Sequence, residues 1–445
     1  MSLNRIPISP KLVLLCTLII MSVTLSAQNQ KDSVIENATL ENVLRYALEN
    51  QPAVQQAQID EQITEKAIQG KLADWFPQIG VSANYQRYID LQYAVFNGEA
   101  IPLGVNNTSS AQLNATQTIF NRDVLLASST ASRLRIQSDQ NTDRAKIDAV
   151  VNVTKAFYDA LATAEQIRVN EQSIARLERS LKDAHSRYQS GVADKTDYKR
   201  ATILLANAKV ALKANQELLT VKLQNLKMLM GYPTQAPLNL QYDSLQMESE
   251  IAIDTLQELD YASHIDYKLL TTQIELQDAN IRYSNWAFLP TLSAFGSYIL
   301  NFQHNDFEQL YDRRFPYSYV GATLSFPIFQ GGKRIANIKE QKFVKQRLDV
   351  SRVNLEKAID SEYTRALAAY KTSLADYLVQ RDNVALAEEV YDVIQLQYRN
   401  GIRTYLDVTI AESDLRTTRI NYFNSLYQVL ASKIDVQRAL GQISY

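Results

Sequence analysis

Residues 121–190 contain neither glycine nor proline, and neither do residues 333–400. Runs of that length without a chain breaker leave the backbone little to form except two very long helices, because ordinary globular helices are punctuated every few turns. At about 1.5 Å per residue, each would be on the order of 100 Å long. Composition agrees. Only 12 glycines and 10 prolines occur in 445 residues, and the runs are rich in the helix formers Ala, Leu, Gln, Lys and Glu. Residues 192–230, 251–289 and 402–440 also lack both breakers.

The two long runs belong to a tandem duplication. RYQSGVADKTDYKRA, ending at Ala201, aligns with QYRNGIRTYLDVTIA, ending at Ala411. This sets Tyr188 against Tyr398, Gly191 against Gly401 and Asp197 against Asp407. At nearly the same offset, Pro77 falls opposite Pro290, Phe120 opposite Phe329 and Gly231 opposite Gly441. The expected organisation is a first repeat over 28–240, a linker over 241–253 and a second repeat over 254–445. Each repeat reads as a helical entry (40–76; 254–289), two β-like stretches around a loop, a long helix (121–189; 333–400), a tight turn and a returning helix (195–230; 404–440). The entering and returning helices are each about half the length of the long one, so two laid end to end would match it.

Apolar residues step by three and four through these segments. Val150, Val153, Phe157, Leu161, Ala164 and Ile167 do so in the first repeat, and Ile420, Phe423, Leu426, Leu430 and Ile434 in the second. These are coiled-coil-like seams with polar residues between them, and a soluble bundle would show the same signal.

Residues 1–27 read as an export signal. Arg5 and Lys11 precede an apolar core, Leu12 to Leu25, and Leu25-Ser26-Ala27 offers a small residue for cleavage before Gln28. The only cysteine, Cys16, lies inside it, so the mature chain would have no thiol for a disulfide, a zinc site or a nucleophile. A lipid anchor at Cys16 is disfavoured by bulky Leu15. With 46 Lys and Arg against 48 Asp and Glu, and no basic run, the chain does not read as a nucleic-acid binder.

The β-like stretches alternate with period two. AQLNATQTIF places Leu113 and Ile119 opposite Gln112, Asn114, Thr116 and Thr118. YVGATLSFPIF places Val320, Leu324 and Phe326 opposite Thr323 and Ser325. In TLSAFGSYILN, Phe295 and Ile299 break the pattern by falling on the polar side. Alternation with an uncharged polar face suits a membrane barrel wall; two hairpins packed on a soluble core remain the alternative. Tyr85, Tyr88, Tyr93, Phe302, Tyr311, Phe315, Tyr317 and Phe329 would form aromatic girdles, with loops 89–109 and 303–316 facing outward. Four strands cannot close in lipid without leaving open edges, so the barrel would be shared between copies.

This grammar, with FPIFQGGKRIANI after the last strand and the paired tip turns, resembles the TolC-like outer-membrane efflux protein family over nearly the whole mature chain. The resemblance implies a mainly α protein carrying a membrane β-barrel. Three chains, with four strands each, would form a twelve-stranded trimeric barrel continued by a long α-helical barrel across the periplasm. It implies an outer-membrane exit duct for efflux or type I secretion, passive, opened by a periplasmic adaptor protein and an inner-membrane pump. It also implies that 231–253 belts the middle of the tube. The turns at Gly191 and Gly401 would then be its periplasmic mouth. By position, Thr196 would receive Arg403, Asp197 would receive Tyr398, and Asp407 would form an acidic ring in the homotrimer. Ile410 replaces the family's second acidic position. A periplasmic coiled-coil scaffold without a pore is the alternative.

No catalytic, cofactor or metal site emerges. His185, His264 and His304 are far apart and are expected to be solvated, and Met228, Met230 and Met247 to serve packing. No nucleophile elbow, phosphate loop or zinc-protease motif occurs.

Overall fold

The computed structural model describes residues 35, 37–241 and 244–445. The expected export signal and Cys16 lie outside the described residues. Helix α1, Leu40–Asn50, begins at Thr39, whose hydroxyl accepts from Asn42 N. It stops at Gln51 because Pro52 opens α2, Pro52–Leu72, at the position where a missing N–H costs nothing. A single 3₁₀ turn over Ala73–Trp75 then leads into β1, Gln78–Arg87. Within the expected loop 89–109 the chain forms a hairpin of β2, Gln92–Phe96, and β3, Glu99–Leu103. Asn97 and Gly98 both take positive φ, as a two-residue hairpin turn requires. Strand β4, Asn107–Phe120, runs back into α3, Arg122–Gln189, which is capped by the Asn121 side chain. The returning helix is α4, Lys195–Met230.

A short helix α5, Ser244–Ser249, separates the repeats. The second repeat then supplies α6, Ile265–Asn285, β5, Thr291–His304, and β6, Arg314–Ser325. It closes with the long α7, Lys333–Arg399, and the returning α8, Tyr405–Ala439. Two boundaries differ from the expectation. The entry to the second repeat is helical only from Ile265, not from 254. Asp254 accepts from Leu256 N at 3.0 Å and Asp260 from Ala262 N at 3.0 Å, turns that compete with helix formation. The last strand ends at Ser325 rather than 329, because Pro327 cannot donate to a ladder.

The four longer strands form one antiparallel sheet in the order β1-β4-β5-β6. Its register places Val81, Leu113, Tyr298 and Val320 on one face. On the other face Gln112 donates to Ser297 Oγ at 2.9 Å, and Ser297 donates to Asn114 at 2.8 Å. Phe295, which breaks the alternation, lies opposite Gly321 with its ring over the glycine Cα, and packs edge-on against Tyr319. The polar side thus accommodates one large ring where its neighbour has no side chain. At the far end of the sheet Tyr85 packs on Phe307 and Phe302 on Tyr311, closing the outer loop over the apolar face.

The helices extend from the opposite end of the sheet. The central core joins Phe157 and Leu161 of α3 with Leu226 and Met230 of α4, Tyr370 of α7, and Leu426 and Leu430 of α8. The described parts of the connection, 231–241 and 244–253, lie against this level: Tyr370 donates to Ile251 O at 3.0 Å, and Ala38 pairs with Leu240 as a parallel bridge. Met230 and Met247 are packed here, whereas Met228 is exposed. The half-length helices meet end to end. Gly231, after α4, abuts the backbone of Asn50 at the end of α1, and Gly441, after α8, abuts Ser263 just before α6.

Two buried ionisable groups stand out. His264 is buried, not solvated as expected: its Nδ1 accepts from Asp266 N at 3.3 Å and caps α6. Glu165 of α3 is fully buried. Arg168 Nη2 lies 2.8 Å from its Oε2, and no other described residue offers a donor to the carboxylate. Burial pushes this carboxyl above the usual carboxylate range, against the pull of Arg168. The folded state therefore holds the proton more tightly than the unfolded chain, and stability falls as pH rises through the folded value. Glu165→Gln is expected to melt at a higher temperature than wild type at neutral pH and to lose that advantage on acidification. Thermal melts across the acid range check this.

Candidate functional site

The two tip turns have the same backbone. Gly191 has φ +74° and Gly401 φ +76°. Val192 N donates to Arg187 O at 2.9 Å, and Ile402 N donates to Gln397 O at 2.9 Å. This is the glycine-terminated helix end that satisfies the last carbonyls, and it needs the left-handed conformation. The returning helices are capped differently. In the first tip Asp194 accepts from Thr196 N at 2.8 Å. In the second, Thr404 and Asp407 cap reciprocally: Asp407 N donates to Thr404 Oγ1 at 3.3 Å, and Thr404 N to Asp407 Oδ2 at 3.0 Å. The Thr404 amide and hydroxyl hold the Asp407 carboxyl below the usual carboxylate range, so it is ionised at neutral pH.

The tips pack through one small cluster. Tyr398 and Tyr405 meet edge to face at 5.8 Å, buried among Ala184, Ala201 and Val408. The Arg187 guanidinium lies 4.6 Å over the Tyr398 ring and donates to Arg399 O at 3.1 Å. Ser180 donates to the Tyr405 hydroxyl at 3.3 Å. The expected partners fall as follows. Within one chain, Arg403 donates to Gln397 Oε1 at 3.1 Å, inside its own hairpin. The Tyr398 hydroxyl is buried with no hydrogen-bond partner among the described residues, while Asp197 is near enough to add to the upward shift that burial gives this phenol. Ile410 is exposed.

A stronger link lies further up the hairpins. Arg176 of α3 donates to Glu412 Oε2 of α8 at 2.8 Å, and Ser173 donates to Glu412 Oε1 at 2.7 Å. The two charged side chains are 14% and 7% exposed, so the pair is largely dry. Above it, Arg419 of α8 donates to Glu388 of α7 at 2.6 Å and to Gln172 of α3 at 2.8 Å. Sequence reasoning missed these groups. The readable signal was Glu412, a carboxylate on the apolar stripe between Val408 and Leu415.

Among the described residues, no helix is long and apolar enough to cross a membrane, and no His, Cys, Asp and Glu group could hold a metal ion. What remains is a four-stranded sheet with one apolar face, continued by two helical hairpins whose turns meet at one end. That is the architecture of an outer-membrane channel subunit. The family model for outer membrane efflux proteins matches residues 43–232 and 270–442, and the chain belongs to that family. It is 23% identical over 439 residues to the outer membrane protein TolC of Escherichia coli K12, covering 93% of this chain and 84% of that one. In fold it is similar to a solved structure of CusC, with a TM-score of 0.73, 17% identity, and coverage of 90% of this chain and 91% of that one. The CmeC outer membrane channel of Campylobacter jejuni aligns with a TM-score of 0.72 and 18% identity, covering 91% and 85%. The protein is an outer-membrane efflux duct with its helical part in the periplasm, and not an enzyme. The family match disfavours the pore-free scaffold.

Proposed function

We propose that three copies of this chain pool their sheets into a twelve-stranded barrel and their hairpins into a tube, forming a passive duct from the periplasm to the exterior. The observation that carries this reading is the pair of unfinished sheet edges, β1 and β6. Each presents a row of unpaired backbone groups, which lipid cannot satisfy. Pairing β6 of one copy with β1 of the next removes every edge. The polar face carrying Gln112, Asn114 and Ser297 then lines water, and the face of Val81, Leu113 and Val320 meets lipid. Exit of cargo needs a source of energy and selection elsewhere, which a periplasmic adaptor and an inner-membrane pump would supply. The cargo class, whether drug, metal ion or secreted protein, would follow from that pump. Trimeric mass in detergent with single-channel conductance in planar bilayers tests this; a monomer that stays soluble without detergent and forms no pore would sink it.

Gly191, Thr196, Asp197, Tyr398, Gly401, Arg403 and Asp407 form the mouth in this reading. Tyr398 with Asp197, and Arg403 with Thr196, are the links whose loss lets the inner hairpin swing. Three ionised Asp407 carboxylates would ring the opening. Asp407→Asn keeps a cap acceptor but removes the charge, so its cation-to-anion permeability ratio is expected to drop toward unity. Reversal potentials in a salt gradient check this.

A further inference from the structure

On β6 the aromatic residues Phe315, Tyr317 and Tyr319 recur at every second position, so all three share one face. The ladder identifies that face. Phe315 lies opposite Asn301, Tyr317 opposite Ile299, and Tyr319 opposite Ser297, which belongs to the polar network with Gln112 and Asn114. Phe315 and Tyr317, expected in an aromatic girdle, thus stand on the polar side and not on the face of Val320 and Leu324. The Tyr317 and Tyr319 rings are inclined by 25°, with centroids 6.5 Å apart, close to the two-residue repeat of a strand. The next position on this face is Gly321, and the Phe295 ring takes the place of its missing side chain: a Cβ there would lie 2.6 Å from Phe295 Cζ. Phe295 meets Tyr319 edge-on at 6.1 Å. The two β5 residues that break the alternation therefore both serve one column of rings, Phe295 as its inner end and Ile299 as the buried neighbour of Tyr317.

Tyr317 is 53% exposed and Tyr319 45%, so ring surface stays open on this side. Open ring surface in water gains by covering a flat apolar solute. The neighbouring groups narrow the class of solute. Gln112 donates to Ser297, and Ser297 to Asn114, so these groups satisfy one another and offer little to a polyol. By register, no charged side chain lies on this face between Phe295 and Phe315. Arg313, 5.0 Å over the Phe315 ring at the outer end, already takes the place a cationic solute would occupy there. We propose, resting on the reading that the polar face lines the duct, that this column is a weak binding station for neutral, flat aromatic molecules in transit. They stack on Tyr317 and Tyr319, and a threefold assembly repeats the station three times around the wall.

The test is saturation-transfer NMR of the full, detergent-extracted assembly with caffeine, a neutral flat ring system, and with glucose as the polyol probe. Wild type is compared with Tyr317→Phe/Tyr319→Phe, Tyr317→Ser and Tyr317→Ser/Tyr319→Ser. Caffeine is expected to bind wild type and the phenylalanine pair alike, because the rings remain. The serine pair is expected to bind it about tenfold more weakly, as loss of two stacking partners implies. Tyr317→Ser should fall between them, and it keeps the test open if the pair fails to assemble. Equal caffeine binding by wild type and the serine variants, or none by wild type, overturns the station. A loss in the phenylalanine pair as large as in the serine pair makes the hydroxyls the contact and overturns the stacking. Glucose binding that the serine pair loses overturns the aromatic assignment in favour of a carbohydrate. Single-channel conductance of every variant separates this station from the duct: a conducting wild type that ignores caffeine removes the station alone, and a wild type without a pore removes the duct.

Discussion

A Glu412→Ala duct is expected to be the least stable single variant at the helical end, losing about 3–5 kcal/mol per chain. The magnitude follows from what stays behind. Arg176 is held between α3 and α8, close to the Tyr391 ring, and only 14% of its side chain is exposed. Without the carboxylate its charge is buried and unpaired, and the Ser173 hydroxyl loses its acceptor. The chain can relieve this only by separating the hairpins. The variant should therefore melt earlier and also conduct more often without any partner, since the pair ties the returning helix near one tip to the long helix of the other. Thermal melts and single-channel open probability measure the two effects. The double replacement Arg176→Met/Glu412→Leu should recover most of the stability, because a buried ion pair and an apolar pair of similar volume differ little in net free energy. A Glu412→Ala protein that melts with wild type would remove the pair from any account of the mouth.

Gly231→Ala is expected to cost about 2–4 kcal/mol, from backbone strain together with overpacking. Gly231 has φ +69°, and an added Cβ would lie 2.3 Å from Asn50 O and 2.9 Å from its carbonyl carbon. Both obstructing atoms are backbone, so no rotamer change relieves the contact. Gly441→Ala meets the same difficulty at the equivalent joint, with Ser263 carbonyl atoms at 2.8 and 2.9 Å. Gly70→Ala, in α2 with nothing within 4 Å, should instead be neutral or slightly stabilising. Urea unfolding of the three variants separates these outcomes.

The long helices were legible because nothing else fits a run without breakers: residues 121–189 and 333–400 became Arg122–Gln189 and Lys333–Arg399. Strand alternation was legible for the same reason, since register follows period two wherever two faces differ. Three things were not. The β2–β3 hairpin carried its signal in Asn97-Gly98, but its strands lack the alternation that marks a face. The start of α6 depended on Asp254 and Asp260 bonding their local backbone, which no apolar periodicity reports. The contacts between the tips depended on tertiary approach: Arg187 reaches Tyr398 across more than two hundred positions of sequence, and spacing within either repeat is silent about it.

Because β4 pairs with β5, from Asn107 against His304 to Phe120 against Leu292, neither repeat owns a finished sheet. A nascent chain that has emerged only as far as its first half holds one apolar hairpin with nowhere to place it. Pairing so remote in sequence is slow, because loop closure must precede any reward. Until the second half arrives, the strands of the first stay bare and adhesive, so association between unfinished chains competes with completion of the sheet.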